Sequence, residues 1–204
     1  MSAVAKSRVR MDPDERRALL LKSATEVFAI RGYASSGLSE IADIGSVSKT
    51  LLYHYFPDGR PQLYAAVMDD VLAKLVSRLR NISSLPLKPS ARLDRLVEEF
   101  VSYFDDHREA FRLLFREPWG SGEEVLIIRA IAAQIQIANE LIHPLTDQGA
   151  KADLVLIATS GAMGTLLHTT ELWLSGQIDK TTVIKSTATL LRHGMCGLGV
   201  IRED

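Results

Sequence analysis

The sequence predicts an all-α protein in two parts, a three-helix unit followed by six further helices. Three observations lead there. Apolar residues recur at three- and four-residue steps along most of the chain, the period of an α-helix. No stretch of any length alternates apolar and polar residues as a half-buried strand would. The periodic segments also begin with Pro, Ser or Asp and end at Gly, the residues that start and stop helices.

Met1 to Asp12 is polar and basic at Lys6, Arg8 and Arg10, and reads as a flexible arm. Pro13 opens the first helix, with Asp14 and Glu15 at its positive end. Leu20, Ala24, Val27 and Phe28 form its apolar stripe, and Gly32 stops it. Leu38, Ile41, Ala42 and Ile44 mark a short amphipathic helix that Gly45-Ser46 interrupts. Ser48 caps a second short helix. Pro57-Asp58-Gly59 is a turn, and Pro61 opens a long helix to about Ile82 carrying Leu63, Val67, Val71, Leu75 and Leu79. Further helices are expected from Ser90 to Phe104, His107 to Phe115, Glu123 to His143 and Lys151 to Leu174, with a last one capped by Asp179 and running to about Met195. Pro118 to Gly122 reads as a break between two of them. The Lys151–Leu174 segment is apolar on nearly every side and is expected to be buried all round.

Composition narrows the function. With 204 residues and 47% hydrophobic content the chain can bury a sizeable core. Net charge is -1, but residues 1–60 hold nine cations against seven anions, a mild positive bias at the N-terminal end. Cys196 is the single cysteine, so no internal disulfide forms and a reducing cytoplasm fits. Met1 to Met11 lacks the apolar run of a signal peptide, and the longest apolar run, near Leu154 to Leu167, is shorter than the ~20 residues of a membrane span. His54, His107, His143, His168 and His193 are scattered; His168 and Glu171, at i and i+3, do not make a zinc site. No nucleophile-elbow, P-loop or dinucleotide pattern appears, so neither enzyme activity nor a cofactor is expected.

Gly37 to Phe56, GLSEIADIGSVSKTLLYHYF, is the most informative stretch. Two short helices joined by a tight turn containing Gly make a helix-turn-helix. On the second helix, at about 100° per residue, Lys49, Thr50, Tyr53 and His54 share one side while Leu51, Leu52, Tyr55 and Phe56 share the other. The first set can donate to phosphates and read base edges in a major groove. An ordinary packed helix pair with a polar outer face would show the same spacing.

Pro13 to Val71 resembles the DNA-binding domain of the TetR family of bacterial transcriptional regulators. The matching pieces are ATEVFAIRGY, SEIA, VSK and LYHYF with its following Pro, in order and at the family's spacing. Three departures stand out. Gly45-Ser46 replaces the usual Ala-Gly, Ser36-Gly37 replaces Thr-Ser or Thr-Thr, and Gly59 occupies the place of a phosphate-reaching Lys, a role Arg60 could take over. The expected organisation is an arm at 1–12, a DNA-binding domain at 13–60 with its motif at 37–56, and an effector-binding and dimerisation domain at 61–204. The DNA contacts expected are Ser36, Gly37, Ser48, Lys49, Thr50, Tyr53, His54, Tyr55 and Arg60. The long helix from Pro61 would act as a lever on the motif.

The resemblance also implies that the last two long helices pair with their copies in a homodimer. Ala158, Gly161, Ala162 and Thr165, with Leu190 and Leu191 on the final helix, offer faces for it. Two-fold symmetry would match a palindromic double-stranded DNA operator. A pocket for a small, largely apolar effector is implied among the C-terminal helices. Candidates to line it are Tyr103, Phe104, Phe111, Phe115, Trp119, Gln134, Met163, His168 and Glu171, each of which would also serve as core or surface. The function expected is a repressor released from its operator by that effector. The alternative is a helical small-molecule binding or scaffold protein with a degenerate helix-turn-helix.

Overall fold

A computed structural model describes residues 12–146 and 149–201. The basic arm expected at 1–12 lies outside the described residues except for Asp12. Among the described residues there are ten α-helices, one 3-10 turn and no strand. The chain divides into two compact units, Met1–Val67 and Met68–Asp204. The division falls within a helix, beyond Pro61, and Tyr64 before it packs on Phe28 and Tyr33 of the first unit.

The first unit holds α1 (Pro13–Ser35), α2 (Leu38–Ile44), α3 (Lys49–Tyr55) and the opening turns of α4 (Arg60–Ser83). Asp12 caps α1 by accepting from the Asp14 backbone N–H at 2.8 Å, with Pro13 just inside. Gly32 adopts φ 75°, ψ 173°, a conformation open almost only to glycine, and one more turn follows it to Ser35. Leu20, Ala24, Val27 and Phe28 are buried as their spacing requires. Tyr64 meets both Phe28 and Tyr33 edge to face, 4.8 Å from Phe28 and 5.1 Å from Tyr33 between ring centroids. Such geometry sets the positive ring edge on the negative face of the next ring.

The turn between α2 and α3 explains the departure at Gly45-Ser46. A Cβ at residue 45 would lie 3.3 Å from the Ile41 carbonyl oxygen and 3.3 Å from Ser23 Oγ on α1, so this position favours glycine. The left-handed residue of the turn is then Ser46, at φ 51°. A side chain there costs energy that glycine avoids. Ser46→Gly should therefore stabilise the first unit by about 0.5–1 kcal/mol, read as a higher denaturant midpoint. An unchanged or lower midpoint would contradict the strain assigned to this turn.

The second unit holds the rest of α4, then α5 (Pro89–Asp106), α6 (Arg108–Phe115), α7 (Glu117–Gly120), α8 (Glu124–Ile142), the 3-10 turn His143–Leu145, α9 (Ala152–Leu174) and α10 (Lys180–Gly197). The nine helices expected become ten because Glu117-Pro118-Trp119-Gly120, read as a break, forms one helical turn with Pro at its start. The cap of α5 is Lys88, with Pro89 first in the helix, so Ser90 lies inside rather than at the cap. The cap of α10 is Asp179, whose carboxylate accepts from the Thr182 backbone N–H at 2.9 Å and from its hydroxyl at 2.6 Å. Those hydrogen bonds from Thr182 hold the Asp179 carboxyl below its ordinary range.

Two helices leave apolar side chains exposed. On α8, Leu126, Ala130, Ala133, Ile137, Ala138, Leu141 and Ile142 face inward, while Val125, Ile128, Ile131 and Ile135 are exposed. By length and composition Glu124–Leu145 could cross a membrane. Its Arg129 and Glu140, however, make ion pairs of 2.6 Å with Asp69 and Arg80 on α4, as a bundle helix would. On α9, Leu156 and Ile157 are exposed, so that helix is not buried all round within one chain.

Candidate DNA-reading face and effector cleft

The helix α3 is held by its two ends and its back. Ser48 Oγ accepts from the Leu51 backbone N–H at 3.1 Å, which satisfies one donor of the first turn. Leu52 and Phe56 are buried, and Arg17 lies over the Phe56 ring at 5.6 Å. With the back fixed, the 3.6-residue period turns Lys49, Thr50, Tyr53 and His54 to solvent, and all four are exposed. Tyr55 is half-buried, its ring meeting that of His54 edge to face at 5.6 Å. A helix is about 10–12 Å across with its side chains, which a major groove of about 12 Å admits. Gly37 and Ser48 are exposed at the starts of α2 and α3.

Two expected contacts are placed elsewhere. Ser36 is buried and its hydroxyl donates to the Gly32 carbonyl, so it braces the end of α1 instead of facing a phosphate. Arg60 folds back onto the same end. Its guanidinium donates to the carbonyls of Ala34 at 3.1 Å and Ser36 at 3.4 Å and stacks 4.4 Å over the Tyr33 ring. A guanidinium spent on two carbonyls and a π face clamps the start of α4 and is poorly placed to replace a phosphate-reaching Lys. Gly59, at φ 73°, is buried; a Cβ there would meet Tyr53 at 3.5 Å and Leu38 at 3.7 Å. The glycine is thus tied to the turn that seats Tyr53.

In the second unit four of the five aromatic candidates form core. Phe104, Phe111 and Phe115 are buried and meet edge to face, with Phe111 5.3 Å from Phe104 and 5.2 Å from Phe115. Tyr103 is buried and donates to the Val71 carbonyl at 3.2 Å. Burial, aided by the Asp70 carboxylate, pushes its hydroxyl up to about 12. Met163 is buried, Gln134 is half-buried, and Trp119 and His168 are exposed. The His168 ring nitrogen Nδ1 lies 3.0 Å from the Gly164 carbonyl.

A cleft of about 200 Å³ opens beside this core, lined by Arg108, Phe111, Arg112, Arg116, Glu171, Leu174 and Ser175. Of the expected effector residues only Phe111 and Glu171 reach it. The three arginines were not anticipated, although their four-residue spacing along REAFRLLFR would place them on one side of α6. Arg116 pairs with Glu171, and Arg112 pairs with Glu117 at 3.2 Å.

The expected dimer faces also divide. Ala158, Ala162 and Leu191 are buried within the chain, Thr165 is half-buried, and Gly161 and Leu190 are exposed. The Thr187 hydroxyl donates to that of Thr169 at 2.9 Å, joining α10 to α9. The outer side of α9 carries Leu156, Ile157, Gly161 and Gly164, and that of α10 carries Leu190, His193, Gly194 and Gly197. A Cβ at any of these four glycines would meet nothing within 4 Å.

A three-helix unit ending in a capped, outward-facing α3 defines a helix-turn-helix DNA-binding regulator. Residues 20–67 match the family described as bacterial regulatory proteins, tetR family. The chain is 29% identical over 202 residues to the HTH-type transcriptional activator FasR of Mycolicibacterium smegmatis, a match spanning 95% of this chain and 89% of that protein. A tetR-family transcriptional regulator from Streptomyces coelicolor shares the fold with a TM-score of 0.76 at 23% identity, over 93% of this chain and 84% of that one. The regulator FadR of Bacillus subtilis, solved in complex with stearoyl-CoA, does so at 0.71 and 18% identity, over 87% of this chain and 98% of that one. Residues 20–67 thus carry a TetR-type DNA-binding domain, and the chain as a whole is similar in fold to TetR-family transcriptional regulators.

Proposed function

We propose that this protein works in the cytoplasm as a homodimer that binds a palindromic operator through α3 and leaves it when a small effector occupies the second unit. The outward set Lys49, Thr50, Tyr53 and His54 on a capped helix of major-groove size carries the reading. Contacts from Gly37, Ser48 and Tyr55 would fix the register of that helix on the backbone. One such helix buries little, whereas two related by a two-fold axis read half-sites about 34–36 Å apart, or a multiple of that. The helix α4 belongs to both units and is the covalent route between effector and motif.

Release from DNA requires that the effector prefer a conformation in which the two motifs are badly spaced. The sign of regulation then follows from where the operator lies. A dimer that blocks a promoter represses, as first expected; one bound beside it can activate, and the Mycolicibacterium smegmatis relative is named an activator. The stearoyl-CoA bound by Bacillus subtilis FadR supports an effector with a substantial apolar part.

The test is the salt dependence of binding to the DNA upstream of the protein's own coding sequence. A regulator neutralising several phosphates should lose affinity steeply, with a log–log slope of about -0.9 per phosphate on B-DNA. A weak, flat response would favour the second reading, a helical ligand-binding protein whose motif no longer reads DNA. The inward turn of Arg60 and the Gly at 59 are the observations on that side.

A further inference from the structure

The lining of the α6–α9 cleft does not suit a purely apolar ligand. It presents three arginines and one glutamate around Phe111 and Leu174. Arg108, Arg112 and Arg116 stand one turn apart, about 6 Å in rise, so a single ligand group can touch more than one. Arg108 has donor capacity to spare. Its nearest carboxylate oxygen, on Asp105, is 3.8 Å away, and that carboxylate is already bonded by Lys180 at 2.9 Å. The same guanidinium lies 5.4 Å over the Trp173 ring, which fixes its plane without using its N–H donors. Arg116 is held by Glu171, and both side chains are substantially exposed, at 53% and 43%. An exposed pair of this kind is bound weakly enough to exchange partners.

We propose that this cleft binds the phosphate end of an amphipathic organic phosphate, with Glu171 as an internal competitor that the ligand displaces from Arg116. Planar guanidinium forks match phosphate oxygens in pairs, which favours phosphate over a single carboxylate when three arginines converge. The cleft volume of about 200 Å³ accommodates a diphosphate and a short stem. The apolar remainder leaves over Phe111 and Leu174. The assignment rests on the effector-responsive reading only in naming this ligand as the effector.

Calorimetric titration of the full chain at low salt tests it, with coenzyme A, palmitoyl-CoA, inorganic pyrophosphate and palmitate as probes. Palmitoyl-CoA should bind most tightly, coenzyme A next, and pyrophosphate more weakly than either. Arg108→Gln and Arg116→Gln should each weaken coenzyme A binding by at least tenfold. Glu171→Gln should strengthen it several-fold, a gain that a purely structural ion pair would not produce. Circular dichroism of each variant establishes that helix content is kept. The proposal is overturned by an unchanged or weaker affinity in Glu171→Gln, by wild-type affinity in Arg116→Gln, or by palmitate binding that depends on the arginines as strongly as palmitoyl-CoA does. Pyrophosphate binding as tight as palmitoyl-CoA would overturn the amphipathic part. Operator binding is measured separately. Ligand binding with the predicted arginine dependence but no effect on DNA would keep the cleft and sink the regulatory reading. Release of DNA by palmitoyl-CoA that is equal in wild type and Arg116→Gln would do the reverse.

Discussion

Lys49→Ala or Tyr53→Ala is expected to weaken binding to the operator duplex by roughly five- to 150-fold, the range of about 1–3 kcal/mol for one good base-edge contact. The two variants should fail differently. Lys49, at the start of α3, carries a compact charge that suits a phosphate. Its loss should weaken all sequences about equally and lower the salt slope by about one. Tyr53 is exposed at mid-helix with an apolar ring and a hydroxyl. Its loss should narrow the gap between operator and random DNA and leave the salt slope nearly unchanged. Neither side chain supports the core, so helix content and oligomeric state should match the wild type. Titration of each variant against operator and scrambled duplex at two or more salt concentrations reads these outcomes. Wild-type affinity in both variants would remove α3 from the DNA interface.

The orientation of α3 could be read from the sequence because one period decides it. Once Leu52 and Phe56 are committed to the core, the helical repeat leaves Lys49, Thr50, Tyr53 and His54 nowhere to go but outward. The inward turn of the Ser36 and Arg60 side chains could not be read, for the opposite reason. Their roles depend on where the chain goes after Gly32 takes its glycine-only conformation, and no helical periodicity carries that. The same change of path brings Tyr33 beneath Arg60 and the Ala34 and Ser36 carbonyls within its reach. A cation near a helix start therefore looks like a phosphate ligand in the sequence, while in the fold it lies over a ring and bonds two carbonyls.

In the second unit the apolar pattern separated core from surface on α5 and α6, where a single stripe is buried. It failed on α8 and α9, where apolar residues occupy more of the circumference than one chain can cover. The sequence alone does not say which part of such a helix the chain itself buries. The aromatic pattern that suggests a pocket carries no sign of Arg108, Arg112 and Arg116, which lie along and at the end of α6. The aromatic residues pack edge to face against one another and leave no room, so the open space lies beside them, where the charges are.

The neighbours Leu190 and Leu191 give the sharpest test of the proposed homodimer and of the face that would pair its copies. Leu190 is 62% exposed and Leu191 6%. Leu190→Asp combined with Leu156→Asp places one charge on the outer face of each helix, two per chain, in the proposed interface. Burying an unpaired carboxylate costs several kcal/mol, and the two-fold axis doubles the number buried. The expected product is a folded monomer by light scattering, with wild-type helix content. Its operator affinity should fall by roughly a hundredfold or more, since linked binding at two half-sites is lost. Leu191→Asp should instead unfold the second unit, because its charge would be trapped inside the chain that carries it. The glycines at 161, 164, 194 and 197 belong to the same argument. Nothing within their own chain crowds them, so a partner helix in close approach is what would make a larger side chain costly there. If the double variant stays dimeric, the outer faces of α9 and α10 are not the interface, and the exposed stripe of Val125, Ile128, Ile131 and Ile135 on α8 becomes the surface to mutate next.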